Sequence, residues 1–267
     1  MLIRVRAIPH ALLRVIDMKR LTCLLTLCGL LPASAPAADE PTTPHALTFN
    51  LGVTTDYIFR GISQSQHDPA LSAGMDYSHA SGLYAGAWAS TQKWVDEAGP
   101  YKDGSDFELD VYGGYKGTAG DIGYDIGFIR YAYDGDRNAA TVGFVTPDTS
   151  ELYLGLSWKM LSLKYSHAVS KHFMGWTNGR DSTYLELNAT HDLGNGWGLL
   201  GHIGHQKVEN NSIASYTDWK VGVTKDVGFG LVTLAYSDTD ADGAVAYRWN
   251  GEDVGKGVLA LSFSKSF

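Results

Sequence analysis

Cysteine is nearly missing from these 267 residues: Cys23 and Cys28 are the two there are, and both lie in one apolar run close to the start. With that run set aside no thiol remains, which excludes a disulfide scaffold, thiol chemistry and the usual ligands of a structural zinc site. Basic charge is also short, with 21 Lys and Arg against 29 Asp and Glu and a net charge of −8. Phosphate binding needs a basic surface, so nucleic acid is excluded as a partner. No segment after residue 40 is apolar enough for a transmembrane helix. Proline is scarce at 8 residues, and the 31 glycines follow no triplet period, which excludes collagen. No glycine-rich loop follows a strand and opens a helix, so a nucleotide cofactor has no cradle. What is present is 44% apolar and 12% aromatic content, enough for one large all-β domain.

The first residues read as an address. From Met18 come Lys19 and Arg20, an apolar run Leu21 to Leu31, then Ala35, Pro36 and Ala37. This is the order of a secretory signal with a small-x-small cleavage site, expected to be cut after Ala37. Met18 is an alternative start, since Arg4, Arg6 and Arg14 precede it without a second apolar run. The apolar run is too brief for a membrane anchor. Neither cysteine has the small residue just before it that a lipoprotein signal needs. Removing residues 1–37 leaves 16 basic and 28 acidic residues, a net charge of −12. Residues 38–46 form a short linker, and the domain proper is expected over 47–267.

From Leu47 apolar side chains recur at every second position: Leu47, Phe49, Leu51, Val53, then Thr55, Tyr57, Phe59. Side chains alternate across a strand, so one face is apolar and the other small or polar. The pattern returns at Leu71–Tyr77, Leu83–Ala89, Phe107–Tyr115, Ile122–Phe128, Leu152–Trp158, Leu161–Tyr165, Thr183–Ala189, Trp197–Ile203, Trp219–Val223, Val232–Tyr236 and Leu259–Phe267, which makes twelve strands. Ile129, Tyr131 and Tyr133 break the parity, and a bulge is expected there.

Connection lengths carry the next step. Joins after even-numbered strands are brief, such as Lys159-Met160 and Gly194-Asn195-Gly196, while those after odd-numbered strands run from nine to nearly twenty residues. Short turns at one end, long loops at the other and an even strand count are the pattern of a bacterial outer-membrane barrel. A lipocalin-like barrel or a sandwich also alternates, with its apolar face inward. Aromatics near strand ends, a polar face rich in Gly, Ser and carboxylates, and a terminal aromatic favour the membrane. The expected fold is therefore an all-β, transmembrane antiparallel barrel of about twelve strands.

The run Thr54-Thr55-Asp56-Tyr57-Ile58-Phe59-Arg60-Gly61-Ile62-Ser63-Gln64, the segments Tyr77–Tyr84 and Glu151–Ser157, and the ending Ser262-Phe263-Ser264-Lys265-Ser266-Phe267 resemble the TorF-type porins, formerly the Gcw-chp group of Gram-negative outer-membrane proteins. The resemblance spans essentially the whole mature chain. It implies a barrel and a porin, and it supplies no catalytic residue and no solute. Phe267 is similar to the C-terminal assembly signal of such proteins, read by the barrel assembly machinery. Lys265 departs from the alternation there, and its long stem can carry the charge to the interface.

Enzyme chemistry would have to rest on the histidines. His167, His191 and His205 fall on the lipid-facing register with no serine at neighbouring height, so no nucleophile-base pair emerges. Asp238-Thr239-Asp240-Ala241-Asp242-Gly243 opens like a calcium loop, but the twelfth position is Trp249; an acidic loop tip in water is the simpler reading of Asp238, Asp240 and Asp242. No cofactor is expected. By parity the polar face carries ten acids (Asp56, Asp76, Asp106, Glu108, Asp110, Asp125, Glu151, Glu186, Asp192, Asp218) and five bases (Arg60, Lys116, Lys159, Lys164, Lys220). Twelve strands enclose a narrow lumen. Asp110, Glu186, Lys164 and Lys220, read as mid-strand, are the constriction candidates, with Glu108 and Arg60 beside them and Arg60 bracing the first loop. The expected function is a passive diffusion channel for small hydrophilic solutes or ions, weakly cation-preferring. A non-conducting structural or adhesion barrel touching lipopolysaccharide, and a lipid-acting barrel enzyme, are the alternatives.

Overall fold

The computed structural model describes residues 44–97, 105–135 and 145–267. The signal segment lies outside them, as does most of the linker. Twelve strands form the barrel, named β1 (His45–Thr54), β2 (Ala70–His79), β3 (Leu83–Thr91), β4 (Phe107–Ala119), β5 (Ile122–Tyr133), β6 (Thr149–Trp158), β7 (Leu161–Ala168), β8 (Thr183–Gly194), β9 (Trp197–Lys207), β10 (Tyr216–Asp226), β11 (Leu231–Thr239) and β12 (Val258–Ser266). Each pairs antiparallel with its neighbour in sequence, and β1 closes the barrel against β12 with Val53 opposite Phe263. Closure leaves no sheet edge, which is what a membrane demands of a β structure.

The alternation read from the sequence is lived out on the wall. On β1 Leu47, Phe49, Leu51 and Val53 all point outward and are exposed. Leu163, Leu187 and Ile203 lie side by side on adjacent strands, again exposed. Every barrel strand shows large apolar side chains on this outer surface. A continuous apolar belt of that size has no stable contact with water, so the belt faces lipid and the barrel spans a membrane. No helix among the described residues is long and apolar enough to cross one.

The turns between even and odd strands are tight. Asn195 and Gly196 both take positive φ (53° and 76°), the conformation whose twist matches the flanking strands. At the chain end Phe267 continues the ladder beyond β12: its N–H donates to the carbonyl of Phe49 (2.9 Å) and its carbonyl accepts from the N–H of Phe49 (3.3 Å). The Lys265 ammonium lies 4.7 Å over the Phe267 ring.

Several expectations need correction. The first strand ends at Thr54, not Phe59. Thr54 Oγ1 caps the backbone of Asp56, and the chain then turns into the barrel. Tyr57 and Phe59 are consequently inside, with Tyr57 against Trp88 and Phe59 against Tyr131. No bulge occurs in β5: its register runs unbroken along both neighbours, and Ile129, Tyr131 and Tyr133 simply continue the inward parity of Asp125. They are apolar because the loop end of the lumen is packed, not wet; Trp94 and Val95 from the second loop pack there with them. Lys159 sits in a turn with its ammonium 4.5 Å over Trp158, away from the lumen. Asp192 also serves a turn, accepting from the N–H of Gly194.

Candidate functional site

The inner face combines glycines with tyrosines by construction. A Cβ on Gly86 would stand 2.5 Å from the Tyr112 ring, one on Gly127 would stand 2.4 Å from Tyr153, and one on Gly114 2.6 Å from the Tyr84 hydroxyl. Each of these tyrosines is the direct cross-strand partner of its glycine. The missing side chains let the rings lie along the wall, so tyrosines decorate the lumen without filling it.

Three lumen tyrosines aim their hydroxyls at carboxylates. Tyr112 donates to Asp76 (2.5 Å), Tyr84 to Asp125 (2.5 Å) and Tyr184 to Asp218 (2.8 Å), while the Tyr84 and Tyr153 hydroxyls share a further hydrogen bond. Asn188 Nδ2 donates to Glu186 (3.0 Å). His202 bridges the far wall, with Nδ1 2.7 Å from Asn188 Oδ1 and Nε2 2.8 Å from Asp218 Oδ1. Lys116 and Lys164 instead lie over the faces of Tyr84 and Tyr153 (5.5 and 4.5 Å). Neither of them, nor Lys220, makes an ion pair among the described residues. Together these groups surround a cavity of about 460 Å³.

The ceiling of the cavity is the first loop. Ile58–Phe59 and Ile62–Ser63 pair as a miniature hairpin inside the barrel, with Arg60 (φ 47°) and Gly61 (φ 80°) at its tip. Gly61 is required twice, by its φ and by the wall: a Cβ there would stand 2.5 Å from both Asp218 and Thr239. Arg60 reaches across to two strands. Its Nη2 donates to Glu151 Oε2 (2.7 Å), and its Nη1 donates to Glu151 Oε1 (3.0 Å) and Gln206 Oε1 (2.9 Å). The guanidinium is stacked 4.4 Å over Tyr184 and 4.9 Å over Phe59. Asp56 holds the base of the hairpin by accepting from Ser63 Oγ (2.6 Å) and Ser65 Oγ (3.2 Å), with His67 Nδ1 2.7 Å away. The run Asp56 to Gln64, part of the family resemblance, thus forms the inward-folded hairpin and its base.

Of the six lumen candidates, Asp110, Glu186, Lys164, Lys220 and Arg60 line the cavity. Glu108 does not; it is sealed at the loop end, where Tyr57 donates to it (3.2 Å). Asp110 and Glu186 are each fourth from the loop end of their strands, so they stand in the outer part of the barrel and not at mid-strand. Lys164 is the direct cross-strand neighbour of Glu186, and Lys220 that of His202. His202, Tyr184 and Gln206 were missed. Parity gives all three, since Ile203 and Leu185 face out and their neighbours must face in. His167, His191 and His205 do stand on the outer register; His167 pairs with Asp181 and His205 with Thr217. The carboxylates proposed for calcium do not converge: Asp238 accepts from the N–H of Thr239, Asp240 from Thr217 and Asp242 from Ala244. Among the described residues no group of three His, Cys, Asp or Glu side chains is placed to hold a metal.

A closed barrel with an apolar exterior, a polar lumen and a loop folded inside has the porin-like membrane architecture. The chain belongs to the family described as "Bacterial protein of unknown function (Gcw_chp)", which it matches over residues 38–267. No curated protein matches it. Among solved structures it is similar to a KdgM porin in complex with disordered oligogalacturonate, at 8% identity over 83% of this chain and 98% of that one (TM-score 0.49). It is also similar to the NanC porin, at 12% identity over 83% and 99% of the two chains (TM-score 0.48). An outer membrane channel from Pseudomonas putida F1 is 12% identical over 86% and 100% (TM-score 0.47).

Proposed function

We propose that this chain is an outer-membrane porin, a passive channel for small hydrophilic solutes or ions whose aperture is set by the first-loop hairpin. The observation that carries the reading is the cavity of about 460 Å³ enclosed by a lipid-facing barrel and lined with charged side chains. Asp76, Asp110, Asp125, Glu186 and Asp218 line it against Arg60, Lys116, Lys164 and Lys220. Arg60 is already matched by Glu151, leaving five carboxylates against three ammonium groups, with His202 between Asp218 and Glu186. A weak cation preference follows from that balance, strengthened at low salt as screening falls. Residues 1–37 serve as the secretory leader, Phe267 as the mark for the assembly machinery, and the long loops lie at the lipopolysaccharide side.

Purified protein in planar bilayers tests this. Conductance is expected, with a reversal potential in a KCl gradient that indicates modest cation preference, reduced by Asp110→Asn with Glu186→Gln. Anion preference would refute the charge balance. The Arg60 bridge across the lumen favours one second reading, a closed structural barrel, and absence of conductance in both wild type and a variant lacking the bridge would establish it.

A further inference from the structure

The wall that receives Arg60 is built as a receptor for a planar cation. Glu151 on β6 is 1% exposed and offers both carboxylate oxygens side by side, the geometry that matches a guanidinium fork and not a point charge. Gln206 on β9, also buried, is locked by donating its amide to the carbonyls of Thr183 (3.1 Å) and Lys207 (3.2 Å), so only its oxygen faces the lumen. Tyr184 on β8 supplies the flat face beneath. All three stand on barrel strands and have partners besides Arg60: the Tyr131 hydroxyl donates to Glu151 (3.4 Å) and Tyr184 donates to Asp218 (2.8 Å). The group that fills the site comes from a hairpin of two residues a side, with positive φ at its tip. Arg60 and Tyr184 border the cavity, with Glu151 and Gln206 buried behind them, so the site adjoins the cavity through Arg60.

We propose that Glu151, Gln206 and Tyr184 form a binding site for guanidinium groups, occupied by the chain's own Arg60, and that solutes bearing a guanidinium compete for it. This rests on the channel reading for its access route but not for its chemistry. A tethered ligand acts at an effective concentration on the order of millimolar or higher, so a free guanidinium binds the wild type weakly and the emptied site well.

The test uses the full barrel in detergent with methylguanidinium as probe and methylammonium as its non-planar control. Arg60→Ala empties the site. Methylguanidinium at ten times its dissociation constant is expected to raise the melting temperature of R60A by about 4 °C, and methylammonium by less than a quarter of that. The apparent affinity should be at least about tenfold weaker in wild type, because Arg60 competes, and the gain should vanish in R60A with Glu151→Gln. Should R60A not assemble alone, refolding yield becomes the readout, restored by methylguanidinium and not by methylammonium. Equal effects of the two cations, or equal affinity in wild type and R60A, would overturn the proposal. Melting needs no ion flow, so rescue in a barrel that never conducts would sink the channel reading and keep the site.

Discussion

An arginine placed on the outer face reads out the membrane directly, because its cost depends on depth. With a rise of about 3.3 Å per residue and a strand tilt of about 40°, each residue climbs roughly 2.5 Å of barrel height. Leu187, fifth in β8, lies about 10 Å below the loop end on that scale, close to the centre of an apolar band about 25 Å tall. It is exposed between Leu163 and Ile203, so an arginine there meets lipid on every side. Leu187→Arg should cost about 2–4 kcal/mol. Leu109 is only third in β4 and about 5 Å deep, so Leu109→Arg should cost about 0–1 kcal/mol. Ser72 faces inward, where an arginine can extend into the lumen, and Ser72→Arg should cost less than Leu187→Arg. Urea titrations of folding into phospholipid vesicles, followed by tryptophan fluorescence, measure all three. Equal costs at Leu187 and Leu109, or wild-type protein that stays monodisperse without detergent, would refute the lipid-facing assignment.

Gly127→Ala drives a methyl into the Tyr153 ring and should destabilise the barrel by about 1–3 kcal/mol in the same titration, partly recovered by Tyr153→Ala. Deleting Phe267 removes the ladder contacts to Phe49 and should lower the yield of folded barrel in the outer membrane, scored by heat-shifted migration on gels. Millimolar calcium should leave the melting temperature unchanged, since Asp238, Asp240 and Asp242 accept from three separate backbone N–H groups, those of Thr239, Thr217 and Ala244; a shift abolished by Asp240→Asn with Asp242→Asn would contradict this. Tyr247, buried in the last loop with its hydroxyl donating to the Ala214 carbonyl (2.7 Å), is pushed upward in pKa by burial. The unfolded loop ionises near pH 10 and the folded one does not, so its contribution is complete below pH 10 and lost as pH rises further, seen as increasing proteolysis of the loop and absent in Tyr247→Phe.

Lipid made most of this fold legible. A strand between lipid and a wet lumen has no freedom in its period, so Leu47 to Val53 or Leu152 to Trp158 could be read from the sequence alone, and strand ends followed from the turns between them. Legibility failed where the surroundings stop being lipid on one side and water on the other. Tyr57 and Phe59 keep the alternation of β1, yet Thr54 caps a turn that carries them inside, and period two is blind to which side of the wall a strand stands on. Tyr131 and Tyr133 imply a register change only if every apolar side chain must face out; the packed first and second loops give them an apolar home within. The partner of Arg60 lies 91 residues away in sequence and its second acceptor 146, separations that follow from barrel closure and from no local pattern.

The chemistry of the lumen divides into two kinds of pairing with different physical consequences. Asp76, Asp125 and Glu186 are held by hydroxyl and amide donors, which fix their direction and satisfy their oxygens without cancelling their charge. Their field therefore persists in the cavity. Glu151 is held by a guanidinium, which removes its charge from that balance and spends it on position, fastening one loop to the wall. Aperture and charge thus reside in separate groups. The tyrosines that make this division workable need glycines across from them at Gly86, Gly114 and Gly127, so these three glycines are a requirement of the inner wall: the flat rings lie along it, and the Tyr84 and Tyr112 hydroxyls keep their carboxylates aimed without extinguishing them.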